Sequence, residues 1–554
     1  MEELSFSPDE SCQNSEEEDQ RQNRDASLSR DVSRDLQTAL EPSLLRGVAV
    51  SVALAGWGKH WETPDSGMFR VDPQNYELSR PAETLDVFLS HDWASSRTLK
   101  FLSLLIVYNS LAAFWASLGA SILFGLLRGL RAIPDEPWIS HFVHLVFLVV
   151  FFFWQRMREL FCRPQMAFLD KLCIAQHSDE MKQQGILGLP AFVLNSKKLL
   201  VLWTPRYFGR LWCTTEIASF LKDPDERRSI EFMPLKVAAI LVMGAVCWHL
   251  LAIGHGIFAF TLEDDSAAGI TVVLPISGVM ITLATAILPF IFYVGLSLVR
   301  DLEELPDQLS KFRVQDAACF CCTNKHRHPD TGAELSCDRL LVFKSLQRWF
   351  SGKEGGTGST NKDCFLDDFN SVVQNQLAAQ VVQGMSGATL PFRYTLYMVG
   401  SCAAPYLANI VPLWMTRFRS GLAGYALFAW TLRQLMDAAI TGVTGICAVR
   451  LSLELWKFGM RLQKTHRAFR SRMLTVAVLV PIEVVLVSLC WLSFAFCRAA
   501  TSETSLLPAL PFLADVLATL YLFWPCRRLL AGMDLAPRRA RRPSTGSVGS
   551  GFEI

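Results

Sequence analysis

An aromatic ring and a carboxylate share one face of a predicted helix within residues 196–220, SKKLLVLWTPRYFGRLWCTTEIASF. The unbroken apolar run from Leu199 to Trp203 predicts a buried strand, and the proline-containing turn after it leads into the helix. Trp212 and Glu216 are four residues apart on that helix, so their side chains lie on the same face. A carboxylate can stabilise developing positive charge, and a flat indole can stack on an aromatic ring. The structural alternative is that Trp212 packs against the sheet and Glu216 lies at the surface.

Polar residues also end two further predicted strands. Residues 84–90, TLDVFLS, form a short apolar strand ending at Ser90, and a second strand candidate, MAFLD, ends at Asp170. Ligands bind at the carboxyl ends of the strands in α/β sheets, so Asp170 is a candidate for a site. Hydrogen bonding within a loop is the alternative for Asp170. Arg97 directly precedes an apolar run, where it can anchor the helix at the membrane interface.

Three segments together resemble a known family. DVFLSHD (86–92), AFLDKLCI (167–174) and SKKLLVLWTPRYFGRLWCTTEIA (196–218) are similar to motifs of the Toll/interleukin-1 receptor (TIR) homology domain. The resemblance implies a small flavodoxin-like parallel α/β sheet. The chain departs from the family pattern because two apolar spans stand where the first helix is expected, and because no clear strand follows the helix of Glu216.

The TIR resemblance implies one of two functions. Some TIR domains are scaffolds that bind other TIR domains, which implies a homo- or hetero-oligomer, and others cleave NAD+ between nicotinamide and ribose. By the family motif, Glu216 matches the catalytic glutamate and Trp212 the nearby aromatic residue. Ser90, Arg97 and Asp170 are the further candidates for contacting NAD+, which is then a substrate and not a resident cofactor. Positive charge builds up on the ribose during such a cleavage, and a carboxylate stabilises it most in the transition state.

Most of the remaining chain consists of segments that can cross a bilayer. The 554 residues are 51% hydrophobic with a mean hydropathy of +0.26, which is too apolar for an ordinary soluble protein. A span needs about 20 apolar residues. About eight such runs are present, at 101–124, 139–155, 235–257, 270–298, 392–414, 421–448, 473–497 and 508–526. The sequence therefore predicts a multi-pass protein whose partner is the lipid bilayer.

The distribution of basic residues predicts an orientation. The stretch 450–472 carries seven Lys or Arg residues and the tail after residue 526 carries six, whereas 262–269 carries none. Because cytosolic loops are enriched in Lys and Arg, eight spans place both termini in the cytosol. The acidic, polar N-terminus has no pattern of a signal peptide. The net charge of +1 gives no electrostatic reason to expect nucleic acid as a partner.

The predicted organisation alternates polar and apolar segments. It comprises a disordered acidic N-terminus (1–45), the first part of a TIR-like module (84–100), a transmembrane hairpin (101–155), the second part of the module (156–225), another hairpin (234–299), a cytosolic Cys-containing loop (300–391), a four-helix transmembrane region (392–530) and a basic disordered tail (531–554). The fold class is therefore an α-helical multi-pass membrane protein of about eight spans. Its small cytosolic α/β module, a TIR-like parallel sheet, is interrupted by a transmembrane hairpin.

A cluster of soft metal ligands lies in the loop 300–391. Residues 319–337, CFCCTNKHRHPDTGAELSC, contain four cysteines and two histidines. Zn²⁺ accepts four such ligands, but the spacing fits no standard pattern, so no bound metal is expected. The weak candidates for a metal site are Cys321, Cys322, His326 and Cys337. Cysteines near a membrane surface are also targets of acylation, and thiols in a loop can equally stay unmodified.

Ionisable residues inside the predicted spans mark another candidate site. Arg433 and Asp437 lie four residues apart in the sixth span, and Glu483 lies in the seventh. Charges at that depth are costly, so these residues either line an ion or solute path or form an in-helix Arg433–Asp437 pair to which Glu483 bonds. In the tail, Ser544 follows two arginines and a proline, a pattern typical of a kinase target. Phosphorylation there would weaken binding of the tail to the anionic leaflet.

The function that best fits these patterns is a membrane-anchored TIR-like signalling or interaction protein acting at the cytosolic face. The first alternative is an NAD+ glycohydrolase that uses Glu216. The second is an ion channel or transporter that uses Arg433, Asp437 and Glu483. No nucleic-acid partner is expected under any of the three.

Overall fold

A mixed β-sheet and a set of long apolar helices make up the protein. The computed structural model describes residues 41–62, 72–221, 229–263, 269–327, 332, 334–335, 337–350, 364–378, 392–421, 423–501 and 505–523. The strands of the sheet come from segments that long helices separate along the chain, so the polypeptide leaves the sheet and returns to it more than once.

The sheet has six strands with a parallel centre. They are β1 Arg46–Ala49, β2 Arg80–Pro81, β3 Val87–His91, β4 Met166–Phe168, β5 Lys198–Trp203 and β6 Ser229–Pro234. Their order across the sheet is β2-β1-β4-β3-β5-β6. Strands β4, β3, β5 and β6 are parallel to one another, whereas β1 is antiparallel to both of its neighbours.

The central strand β3 pairs with a strand that lies far along the chain. Its register with β5 runs from Phe88 opposite Leu199 to His91 opposite Leu202. Every residue of β3 is buried, as expected for a parallel strand covered on both faces. The two predicted strands on either side of the transmembrane hairpin thus belong to one sheet, although a pair of long helices intervenes between β3 and β4.

Three strands were not predicted from the sequence, namely β1, β6 and the two-residue strand β2. Strand β6 pairs with β5 along its whole length, so the expectation that no strand follows the helix of Glu216 is wrong. Its residues SIEFMP run without a break into an apolar helix, and the strand therefore has no boundary in the hydropathy pattern. Strand β1 is only four residues long, RGVA, and pairs with β4 beside it. Too few residues alternate there to give a strand signal.

Most of the described chain is helical. Thirteen helices of the described residues are numbered, as α1 Arg97–Gly129, α2 Phe142–Glu159, α3 Asp179–Leu187, α4 Leu189–Leu194, α5 Leu211–Leu221, α6 Leu235–Glu263, α7 Gly269–Ser310, α8 Asp338–Phe350, α9 Cys364–Ser371, α10 Ala404–Arg419, α11 Gly424–Thr465, α12 Arg472–Ala500 and α13 Ala509–Phe523. Short helices are Val50–Ala53, Ala55–Gly58, Pro73–Glu77, Asp170–Cys173, Phe320–Thr323 and Phe392–Met398. We call β1–β6 together with α3, α4 and α5 the sheet unit.

Seven helices within the described residues are long and apolar enough to cross a membrane. They are Arg97–Gly129, Trp138–Glu159, Leu235–Gly254, Thr282–Ser310, Arg393–Arg419, Gly424–Thr465 and Arg472–Arg498. Their length and composition indicate an integral membrane protein with lipid around it. The eighth predicted span, 508–526, corresponds to α13, which is 15 residues long up to the last described residue.

The basic stretch 450–472 is largely helical and not a loop. Helix α11 continues to Thr465 because its second half keeps a buried face, on which Trp456 and Met460 lie. Only the residues from His466 to Ser471 connect α11 to α12. The basic side chains of this stretch therefore lie largely on an extension of a spanning helix.

The segment after α7 packs against the sheet unit. Ala318 forms backbone hydrogen bonds with Gly209, at 2.7 Å, and with Leu211, at 3.1 Å, at the start of α5. Farther along, the Asn370 side chain accepts a hydrogen bond from the Val314 amide at 2.8 Å. The stretch predicted as a cytosolic loop therefore contains helices α8 and α9 that are joined to the sheet unit.

The packing of α7 against α11 yields a prediction. A Cβ added at Gly295 would lie 2.3 Å from the buried Trp456 ring, whereas one added at Gly278 of the same helix would meet nothing within 4 Å. Gly295→Ala is expected to destabilise the detergent-solubilised protein by about 1–3 kcal/mol through overpacking. Gly278→Ala is the matched control, because the same substitution in the same helix changes the helix propensity equally but causes no clash. Thermal unfolding of both variants measures the effect, and equal melting temperatures would contradict this packing.

Candidate functional site

Glu216 lies beside the carboxyl end of β3. Its carboxylate oxygen Oε2 and the Tyr207 hydroxyl are both hydrogen bonded to Ser90 Oγ, near the end of that strand. Tyr207 begins the turn between β5 and α5, is fully buried, and donates from its hydroxyl to the Cys213 carbonyl at 3.3 Å. The parallel pairing of β3 with β5 thus brings residues from three elements into one polar network.

Burial has the largest effect on the ionisation of Glu216. Burial raises its pKa to about 8, while the Ser90 hydrogen bond opposes the rise and the Asp170 carboxylate adds to it. Ser90 Oγ donates to Glu216 Oε2, and the same hydroxyl is hydrogen bonded to the Tyr207 hydroxyl. The three side chains therefore form one continuous hydrogen-bonded network.

Trp212 and Glu216 line the same small pocket, which helix α8 covers. Leu341 and Val342 of α8 form one wall of the pocket. The Trp212 indole also donates to Asp338, the first residue of α8, at 3.4 Å. The cavity volume is about 10 Å³, close to the space that one water molecule needs. In this conformation the pocket has no room for a dinucleotide.

Asp170 lies at the carboxyl end of β4 and has its own partners. Its Oδ2 accepts a hydrogen bond from Trp93 Nε1 at 2.7 Å, and its burial raises its pKa. Lys100 Nζ donates to the Trp93 carbonyl at 3.1 Å. The His91 and Trp93 rings meet edge to face, with centroids 4.3 Å apart. Asp170 therefore belongs to a second polar group at the same edge of the sheet.

Asp92, just after β3, is a buried carboxylate in an ion pair that the sequence did not single out. Its side chain is 1% exposed and accepts from Arg206 Nη2 at 2.9 Å, with Arg210 Nε at 3.8 Å. Arg206 is itself 60% exposed. This pair fixes the turn between β5 and α5, on which Tyr207 lies.

Arg97 contacts residues 56–62, which are not among the residues that contact Glu216. Its guanidinium donates to the carbonyls of Gly56, at 3.2 Å, and Trp57, at 3.4 Å, and lies 3.9 Å from Glu62. These contacts join the start of α1 to the short helix Ala55–Gly58. They fit the alternative in which Arg97 anchors the end of a spanning helix.

The weak metal-site candidates of the segment 319–337 lie together. The ligand atoms of Cys321, Cys322, His326 and Cys337 lie within 4.8 Å of one another. Ser544 lies outside the described residues.

In the spanning helices, the expected in-helix Arg433–Asp437 pair is replaced by another. Asp437 accepts from Arg498 of α12 at 2.7 and 3.0 Å. Glu483 accepts from Ser452 of α11 at 2.9 Å and is buried. Both contacts join α11 to α12. The polar residues thus hold neighbouring helices together in two separate places.

Two residues near Glu216, Tyr207 and Asp338, were not predicted as site residues, and only Tyr207 could have been predicted from the sequence. Tyr207 lies within the segment that carries the TIR resemblance, so its place near Glu216 could have been found there. Asp338 lies in a segment far along the chain, and no local pattern connects it with Trp212. Only the folded chain brings α8 over the pocket.

Comparison of the chain with protein-family models, curated proteins and solved structures gives no match. The geometry of the molecule therefore carries the functional argument.

The raised pKa of Glu216 predicts a pH-dependent stability. The folded protein binds this proton more tightly than the unfolded chain, so the stabilisation is complete below about pH 4.5 and is lost as the pH rises towards 8. Glu216→Gln keeps a hydrogen-bonding neutral side chain. The variant is therefore expected to gain stability over the wild type, by up to about 1.4 kcal/mol for each pH unit in this window.

Melting temperatures measured from pH 5 to 8 test this expectation. Glu180→Gln, which removes an exposed carboxylate from α3, serves as the control for loss of a surface charge. A constant difference between Glu216→Gln and the wild type across the window would contradict a neutral Glu216.

Proposed function

We propose that this protein is a membrane-anchored signalling and interaction protein whose sheet unit is a TIR-like module at the cytosolic face. The observation that carries the proposal is the strand order. Among the parallel strands, taken in chain order as β3, β4, β5 and β6, the order across the sheet is second, first, third, fourth. This is how the flavodoxin-like order begins, and it is the order that the TIR resemblance implies.

The position of the three TIR-like segments supports the same proposal. Each segment supplies a strand of the parallel centre, and each supplies a polar residue near its carboxyl edge. Ser90 comes from the first segment, Asp170 from the second and Glu216 from the third. The segments therefore act as one unit in space although a membrane hairpin separates the first from the second.

A cytosolic location of the sheet unit is supported by an ion pair between distant segments. Lys464, near the end of α11, lies 2.6 Å from Glu303 of α7. Helix α7 leads into the segment that packs on α5, so the basic stretch 450–472 lies on the side of the sheet unit. Basic residues concentrate on the cytosolic side. With α13 as the eighth span, both termini are cytosolic.

The carboxyl edge of the sheet lies next to the membrane. Strand β3 ends at His91 shortly before α1 begins at Arg97, and β6 continues directly into α6. A partner can therefore reach the loops at this edge along the membrane plane, and not along the membrane normal. Two copies in one bilayer meet side by side, so the partner that fits best is a second copy of this chain.

Self-association through the edge near the membrane gives a prediction. Arg206 and Lys197 are exposed basic residues at opposite ends of β5, each paired with an aspartate at 2.9 and 2.8 Å respectively. Cross-linking of two differently tagged full-length copies in membranes is expected to fall several-fold in Arg206→Ser. Lys197→Ser, at the other end of the strand, is expected to leave it unchanged. Equal cross-linking in both variants, or none in the wild type, would reject the proposed interface.

Cleavage of NAD+ is a second candidate, favoured by the shared pocket of Trp212 and Glu216. In this reaction the bond between ribose C1′ and nicotinamide breaks, and its electron pair stays on nicotinamide. Water then adds to the ribose carbon and a proton is released. An ionised Glu216 would stabilise the charge on the ribose. Since α8 covers the pocket, the reaction needs α8 to move away.

Release of nicotinamide from NAD+ by the full-length protein in lipid nanodiscs tests this candidate. Release is expected to rise with pH through about 8, as Glu216 ionises. It is expected to fall at least about 100-fold in Glu216→Gln, the loss typical of removing such a group. Glu180→Gln is the control, and Asp338→Ala, which frees Trp212 from α8, is expected to increase release. If neither the wild type nor Asp338→Ala releases nicotinamide at high protein concentration, the enzymatic function is rejected and the interaction function is retained.

A channel or transporter remains a prediction with less support. Asp437 pairs with Arg498 and Glu483 bonds Ser452, so both acids have partners between α11 and α12. Such contacts also serve helix packing in a bilayer.

A further inference from the structure

Four side chains of the segment 319–337 converge on one point. The thiols of Cys321, Cys322 and Cys337 and an imidazole nitrogen of His326 lie within 4.8 Å of one another. The Sγ–Sγ distances are 3.9 Å for Cys321–Cys322 and 3.9 Å for Cys322–Cys337. Four ligands at about 2.3 Å from a tetrahedral zinc ion are separated by about 3.8 Å. These two sulfur–sulfur distances therefore match edges of a zinc tetrahedron.

The backbone is shaped to bring His326 back to the cysteines. The His326 amide donates to the Cys321 carbonyl at 2.7 Å. Lys325 and His326 have φ values of 53° and 57°, a left-handed conformation that non-glycine residues rarely adopt. Two such residues in succession cost free energy, and a metal ligand at His326 would offset it.

An isolated antiparallel bridge precedes the fourth ligand. Arg327 pairs with Glu334, and the Leu335 amide donates to the His326 carbonyl at 2.8 Å. Cys337 follows two residues later. These two contacts bring the residues before Cys337 next to His326, which explains why the sequence spacing alone did not indicate a metal site.

Two polar atoms at the cluster are placed as a metal site requires. His326 Nδ1 is buried, and the described part of the chain offers it no hydrogen-bond partner. An unprotonated imidazole nitrogen is a common metal ligand. The Asp338 amide donates to Cys321 Sγ at 3.3 Å, and such a hydrogen bond to a ligand sulfur is typical of the surroundings of a metal centre.

We propose that Cys321, Cys322, His326 and Cys337 bind one zinc ion. Three thiolates and one imidazole in a closed tetrahedral set are characteristic of structural zinc. Cys319 lies behind the set, with its Sγ 3.2 Å from Cys321 Sγ, and both of these thiols are buried. Acylation, the rival use of these cysteines, needs an exposed thiol, so it is disfavoured for Cys319 and Cys321.

The zinc ion would also fix the start of α8. Cys337 is followed directly by Asp338, the residue that accepts from the Trp212 indole. The metal site would therefore hold α8 over the pocket of Glu216. This role needs no assumption about TIR-like function, because it follows from the chain connection alone.

The metal content of the full-length protein, purified in detergent without chelators, tests the proposal. Elemental analysis is expected to give one zinc per chain in the wild type. Zinc is expected to fall at least tenfold in Cys322→Ser and in Cys337→Ser. Cys162→Ser, which changes an exposed thiol outside the cluster, is the matched control. Less than one-tenth of a zinc per chain after growth with added zinc, or unchanged zinc in both cluster variants, would overturn the site.

A ligand exchange separates loss of the metal from loss of the fold. His326→Cys keeps four ligands and is expected to retain zinc, whereas His326→Ala is expected to lose it. Cobalt supplied in place of zinc should show the thiolate charge-transfer and tetrahedral absorption bands in the wild type and in His326→Cys. Iron in place of zinc, or an acyl chain on Cys322 detected by mass spectrometry, would also refute the proposal.

Hydrogen–deuterium exchange tests the effect on α8. Removing the metal with a chelator is expected to increase exchange in residues 338–350 and to leave residues 179–187 of α3 unchanged. An equal increase in both helices would show general unfolding and contradict a local role of the metal.

Discussion

The parallel pairing of β3 with β5 and β4 is the constraint on which the rest of the protein depends. Backbone hydrogen bonds of a buried central strand must be made, because an unpaired buried amide or carbonyl is costly. Here the partners of β3 are reached only after the chain has passed through α1 and α2. The hairpin must therefore return the chain to the sheet. Its two helices are held together by a polar contact in which Asn109 donates to the Phe151 carbonyl at 2.8 Å.

The same pairing creates the environment of Glu216. With β3 beside β5, Ser90 and Tyr207 meet at the carboxyl edge, and α5 lays the carboxyl group of Glu216 against them. The pocket beside Glu216 is then closed by residues of α3 and α4 on one side and by residues of α8 on the other. Water is excluded as a result, and this exclusion, more than any nearby charge, raises the pKa of Glu216.

Local patterns predicted the parts of the fold whose signal is local. Strands β3 and β5 are unbroken apolar runs, and Trp212 and Glu216 share a helix face by their spacing alone. Strand β6 was missed because it merges with α6, and α8 was missed as a cover because contacts between distant segments leave no local pattern. The same reason explains Asp437: the four-residue spacing pointed to Arg433, but Arg498 of a neighbouring helix reaches it instead.

The network around Glu216 does not need a carboxyl group in its closed form, because a neutral amide could make the same hydrogen bonds. A carboxyl group differs from an amide only when it can ionise, and ionisation needs water. Any movement of α8 that admits water also lowers the pKa of Glu216 from about 8. Such a movement would release a proton, so a higher pH would favour it. Closure of the pocket and the raised pKa of Glu216 thus have the same physical origin, because Leu341 and Val342 of α8 line the pocket that contains Glu216.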